Sequence, residues 1–317
     1  MAKLSGAITK GAELTIVFTA GLTKELLQGV SAGPAYSNLL DYWATLSSCL
    51  TDLEFFIDPM EQELQPAYLN QLTRLTRLSL TGLEDLEDPD SLALQGGYPH
   101  HAFELPELKT LELDNLWLED VELQCPRLKL LRIEGSLMKK VSLEASLEDL
   151  HLGECTPDLL HEGFPIVNLI GLTNLSLGGQ YGTDSEAALF RRLPLMTRLR
   201  DLYLNISEFS LPADLPKSLR DLTLVFYRKE RWDSSVIPLL QQLPEAEQIC
   251  IEIHVYPPAA VIGDLGLDHD LTPFLAMRSL RSLQLGNSQV WKASALRQLG
   301  KFEAGVARSG KKLKLRY

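Results

Sequence analysis

The chain has 317 residues, 45% of them hydrophobic, and a formal net charge of −12. The apolar share excludes a disordered chain, and the acid excess argues against non-specific binding to nucleic acid or to an anionic membrane. Four cysteines, Cys49, Cys125, Cys155 and Cys250, lie far apart without a C-x-x-C pair, so they read as buried free thiols.

In chain order, the alternating β-branched segment 13–18 predicts a strand. Segments 23–30 and 35–48 predict helices, separated by the break at Gly33-Pro34. In the second helix Leu39, Leu40, Trp43 and Leu46 form one apolar stripe. From Leu50 onward a single unit, L-x-x-L-x-L, keeps returning. Its copies start at Leu50, Leu75, Leu108, Leu128, Leu147, Leu172, Leu199, Leu219 and Leu280, with a degenerate copy at Ala246. Two apolar residues spaced two apart face the same side of a strand, and the residues beside them face the other. One such strand cannot bury its apolar side alone, but a stack can.

The central residues of the units are 19 to 34 positions apart. The shortest steps leave room only for an extended return, and the longer ones can hold a helix. Helices are predicted over 184–193, 234–243 and 294–308, with Asp184, Ser234 and Ser294 as N-caps. Leu105-Pro106, Leu193-Pro194 and Leu243-Pro244 each stop a return segment ahead of the next strand. Segments 95–101, which holds His100 and His101, and 256–269 read as loops. The alternating basic segment 312–317 predicts a final edge strand whose Lys and Arg discourage end-to-end association. Residues 292–317 carry eight bases and one acid, a local +7 that leaves −19 for the remainder. No apolar run is long enough to span a membrane. The apolar patch at 14–20 adjoins Lys10 and Glu13 and lacks a cleavage site, so no signal peptide is expected and the expected location is cytoplasmic or nuclear.

Over roughly residues 46 to 290 these units resemble the leucine-rich repeat superfamily, whose consensus continues as L-x-x-L-x-L-x-x-N-x-L. Asn115, two residues after Leu113 and one before Leu116, is the nearest match to the consensus Asn, which ties the turn together by hydrogen bonds. The segment Val121-x-Leu123-x-Cys125-Pro126-x-Leu128-Lys129-x-Leu131 resembles the repeats of plant-type F-box proteins, although no F-box-like helical module precedes it. The resemblance implies an α/β leucine-rich repeat solenoid. Its horseshoe would carry about a dozen parallel strands on the concave face, with helices and extended returns on the convex face. It would form one domain over 1–317: a strand and helical cap over 1–49, repeats over 50–290, and a helix with an edge strand over 291–317.

In that arrangement the residues between the leucines form an exposed face, which includes Ser79 and Val225 as well as the charged positions. The candidate partner-binding residues are Glu112, Asp114, Arg132, Glu134, Asp149, His151, Asp201, Tyr203, Asp221 and Glu252. Seven are acids and only Arg132 is a base, so the expectation is a mutually repelling carboxylate column that favours a basic protein partner. Asp149, His151, Asp201, Tyr203 and Asp221 form the expected hot patch, because Tyr is enriched where binding energy concentrates. No nucleophile elbow, phosphate loop or dinucleotide fingerprint occurs, and His151 and Cys155 would not face one another as metal ligands. The expected function is therefore non-catalytic protein binding, with no cofactor, no metal, and neither nucleic acid nor membrane as partner. The F-box likeness implies an adaptor or a substrate-recognition subunit of a ubiquitin ligase. The alternative is a structural subunit of a larger assembly, held through its ends.

Overall fold

The structure, a computed structural model, describes residues 14–18, 50–57, 69–82, 101–143, 145–153, 169–178, 190–206, 214–226, 236–253, 271–285 and 293–316. It is α/β, built mostly of parallel strands in open sheets with few helices. The chain divides into two compact units, Met1–Leu169 and Ile170–Tyr317.

In the first unit every L-x-x-L-x-L copy is a strand. The sheet runs β1 (Leu14–Phe18), β2 (Leu50–Ile57), β3 (Arg77–Gly82), β5 (Thr110–Asp114), β7 (Leu130–Glu134) and β9 (Asp149–Leu152), all neighbours parallel. Burial alternates as the leucine spacing requires: in β5, Leu111 and Leu113 are buried while Thr110, Glu112 and Asp114 are partly exposed. Each fully buried leucine contributes about 2 kcal/mol through removal of its surface from water. The strands enter the sheet in a repeating way. The carbonyl of Lys109 accepts the amides of both Lys129 and Leu130, and the carbonyl of Lys129 accepts those of Glu148 and Asp149. Opposite charges pair along the same edge: Lys129 with Glu148, and Arg127 with Glu107.

The short returns do more than run extended. They form a second parallel sheet, β4 (His101–Phe103), β6 (Trp117–Leu123) and β8 (Leu137–Leu143). Phe103, Leu123 and Leu143 align across it and are buried, as are Val121 and Val141. The expected loop over 95–101 thus ends differently at its last residue: His101 opens β4 and is only 2% exposed. The reason is that its Cα partner is Val121, so the alternation of β4 turns the ring inward with Phe103. Asn70 finishes the open edge of β4. Its Nδ2 donates to the Ala102 carbonyl at 3.0 Å and its Oδ1 accepts the Glu104 amide at 2.9 Å.

The chain passes from one sheet to the other at stacked tight turns. Asn115 and Gly135 occupy equivalent positions, both with positive φ, 52° and 55°. The Asn115 amide donates to the Glu134 carbonyl at 2.9 Å. Beside them Ser136 is fully buried; its Oγ accepts the Leu116 amide at 3.0 Å and donates to the Glu134 carbonyl at 2.9 Å. Below the second sheet, Cys125 and Leu105 fill matching core positions. Burial pushes the Cys125 thiol up to about 11.

In the second unit the sheet runs β10 (Asn174–Leu177), β11 (Asp201–Ile206), β12 (Asp221–Phe226), β13 (Gln248–Ile253), β14 (Ser282–Leu285) and β15 (Lys314–Arg316), again all parallel. The expected final strand is β15. Two of the expected helices are described: α1 (Val236–Gln241) and α2 (Ala293–Ser309). Ser294 is not the N-cap of α2, because the helix already begins at Ala293 and takes Ser294 into its first turn. Leu299 and Phe302 bury one side of α2, and Gly305 lets it approach Leu275. The Leu193-Pro194 step forms a 3-10 turn, Leu193–Leu195, ahead of β11. A second 3-10 turn, Thr272–Ala276, precedes β14. Lys311 donates to the carbonyls of Phe274 and Met277 at the end of that turn, and partial burial there lowers its pKa. The predicted helices over 23–30 and 35–48, the body of that over 184–193, and the loops over 95–100 and 256–269 lie outside the described residues. Among the described residues no helix is long and apolar enough to cross a membrane.

Candidate functional site

The outward rows of the strands are set by register. In the first unit Glu112 sits beside Arg132, and Arg132 beside His151. Asp114 sits beside Glu134, and Leu130 lies between Thr110 and Asp149. Neighbouring strands are about 4.8 Å apart, so these side chains meet directly. Arg77 on β3 reaches across two strands: its Nη2 lies 3.2 Å from Glu112 Oε2 and its Nη1 3.5 Å from Asp52 Oδ1. Burial alone would lower the pKa of Arg77; the carboxylates of Glu112 and Asp52, with Glu54 beyond, outweigh it and raise the value. Glu134 receives His151 Nε2 at 2.6 Å and Arg132 Nη2 at 3.5 Å.

These contacts correct in part the expectation of a mutually repelling column. In the first unit Glu112 is ion-paired with Arg77 and Glu134 with Arg132, although Asp114 and Glu134 stay adjacent. Gly153 is part of that arrangement: a Cβ there would come within 2.3 Å of Glu134 Oε1. Ser79 was expected on the exposed face but is 7% exposed, because it is flanked by Glu54 and Glu112 across the sheet.

In the second unit one row reads Asn174, Asp201, Asp221, Gln248, Ser282 and Lys314 across β10 to β15. The next reads Ser176, Tyr203, Thr223, Cys250, Gln284 and Arg316. The face therefore runs from carboxylates on β11 and β12 to cations on the edge strand. Tyr203 is 36% exposed, a large ring beside the Asp201–Asp221 pair. One oxygen of Asp221, Oδ1, is buried with no hydrogen-bond partner among the described residues. Asn205 donates from Nδ2 to the Gly178 carbonyl at 2.7 Å and ties one strand end to the next. Val225 was expected to be exposed and is 2% exposed, set between Asn205 and Glu252. Cys250 lies 3.6 Å from Glu252 Oε1; burial first, and that carboxylate second, push its thiol up to about 11. Such a thiol is a poor nucleophile at neutral pH.

The expected hot patch is divided between the units. Asp149 and His151 are alternate residues of β9 in the first, while Asp201, Tyr203 and Asp221 adjoin one another on β11 and β12 in the second. Gly153 and Asn70 escaped sequence reasoning, because they act through neighbours far away in sequence. Arg77 belongs to the expected exposed face, where it breaks the acidic run, but stands outside the candidate binding set.

Among the described residues no group of three or more His, Cys, Asp and Glu is placed to hold a metal ion. A concavity of about 240 Å³ in the second unit is lined by Gln241, Leu243, Pro244, Pro273, Met277 and Arg278. It is smaller than the usual small-molecule pocket. The arrangement as a whole offers ordered rows of charge and hydrogen-bonding groups on rigid strands. Compared with known proteins, the chain matches no family model and no curated sequence.

Proposed function

We propose that the chain is a leucine-rich repeat solenoid that binds a protein partner, without catalysis, through the outward rows of its strands. The observation that carries this is the Asp201–Asp221–Tyr203 group: two carboxylates on adjacent parallel strands with an exposed ring one position on. A basic side chain of the partner would seat against the two carboxylates while the ring supplies rigid contact area. Every L-x-x-L-x-L copy being a parallel strand supports the solenoid reading. An adaptor or substrate-recognition role, of the kind the F-box likeness implies, fits a surface of this kind and is the leading version. The test is affinity capture with the wild-type protein and with Asp201→Lys/Asp221→Lys, followed by quantitative mass spectrometry. A partner bound through this face drops out of the reversed variant; identical recoveries overturn the proposal. Co-recovery of ubiquitin-ligase core subunits would support the adaptor version, and their consistent absence would remove it.

A further inference from the structure

The strand entries of the second unit carry a feature that the acidic rows do not explain. Arg198 and Arg200 precede β11, and Lys217 and Arg220 precede β12. All four are exposed, and none makes an ion pair or side-chain hydrogen bond among the described residues. The backbone fixes their alignment: the Arg200 carbonyl accepts the amides of Arg220 and Asp221 at 2.8 and 3.0 Å. Arg200 and Arg220 are therefore stacked on neighbouring rungs, about 4.8 Å apart at the backbone. Like charges so placed repel. On the next rung the same position is Glu247, which pairs with Arg281 at 3.5 Å. At other strand entries Lys129 pairs with Glu148 and Arg281 with Glu247, whereas among the described residues these four form no such pair, in a protein of net charge −12.

We infer that this edge docks an acidic segment of a protein. Two stacked guanidiniums take carboxylates of such a segment, with Arg198 and Lys217 flanking them. A nucleic acid fits less well, because a patch of four cations in a chain of net charge −12 is short for a continuous phosphate backbone.

The test uses the full chain and fluorescence anisotropy with three probes: a labelled oligoglutamate of about twelve residues, the matching oligoglutamine, and a single-stranded oligonucleotide of equal charge, at about 50 mM salt where screening is weak. The oligoglutamate binds, the oligoglutamine does not, and Arg200→Glu/Arg220→Glu weakens binding about tenfold or more. A reversal of the same size on α2, Lys301→Glu/Arg308→Glu, changes it less than about twofold. Circular dichroism confirms that both variants fold. No binding of oligoglutamate, equal losses from the two reversals, or tighter binding of the oligonucleotide would each overturn the inference.

Discussion

Alanine substitutions at four glycines separate backbone strain from steric contact. Gly310 has φ +66° with no atom within 4 Å of a built Cβ, so Gly310→Ala carries only the left-handed penalty, about 1 kcal/mol. Gly135 has φ +55°, and its Cβ would lie 2.1 Å from Asn115 Oδ1 and 3.2 Å from its Cγ. The Asn115 side chain must then leave its place in the turn, and the total loss is about 3 kcal/mol. At Gly82 the obstacle is backbone: a Cβ would sit 2.0 Å from the Asn115 carbonyl oxygen. Two strand ends would have to separate, with a loss of about 3 kcal/mol or more. Gly300 lies within α2 with open space around it, and Gly300→Ala stabilises by up to about 1 kcal/mol. Urea unfolding followed by far-ultraviolet circular dichroism reads each value, in separate transitions if the two units unfold separately. The deciding experiment is a second substitution, Asn115→Gly. Its φ of +52° suits glycine, and it removes the side chain that blocks Gly135→Ala while leaving the carbonyl that blocks Gly82→Ala. Rescue must therefore appear at Gly135 and not at Gly82. Equal rescue at both sites, or a Gly310→Ala loss as large as that of Gly135→Ala, would refute the reasoning.

Ser136→Ala removes the buried acceptor of the Leu116 amide and should cost about 1–3 kcal/mol by the same unfolding assay; a neutral result would mean the turn re-forms without it. Arg77→Gln leaves Glu112 and Asp52 without their shared cation on a half-exposed face. The expected loss is at most about 1 kcal/mol and shrinks in about 1 M salt, which a salt series in the unfolding midpoint checks. The Cys125 thiol, at about 11 in the folded protein against 9.0 ordinarily, keeps its proton when the unfolded chain has lost it. Stability is thus unaffected by this group below pH 9 and falls as pH rises towards 11, by up to about 3 kcal/mol. Cys125→Ala should flatten that part of the stability–pH curve, and superimposable wild-type and variant curves would dismiss the effect. Cys250 should react with iodoacetamide at pH 8 about a hundredfold more slowly than an ordinary thiol, and Glu252→Gln should speed it.

Much of this architecture was legible before any coordinates. Leucines two apart can share a strand face only one way, so units such as Leu108-Lys109-Thr110-Leu111-Glu112-Leu113 declared both the strand and its buried side. The alternating end, Lys314 to Arg316, was readable for the same reason. The second sheet was not. Its strands β6 and β8 have apolar spacing interrupted between Leu118 and Val121, and between Met138 and Val141, which masks the period of two. His101 looked like part of a Gly- and Pro-rich loop, because only pairing with Val121 turns it inward.

The candidate face shows the same division. By itself the sequence placed Glu112, Arg132, His151, Asp201, Tyr203 and Asp221 at outward positions, though Ser79 and Val225, expected on the same face, are buried. It could not determine which charges meet, because ion pairs form between strands whose separation along the chain is unrelated to their distance in space. Tertiary structure alone brought Arg77 to Glu112, 35 residues away, and His151 to Glu134, 17 away. Register decided those pairings, and register depends on the tight turns at Asn115 and Gly135, where backbone conformation and packing act together.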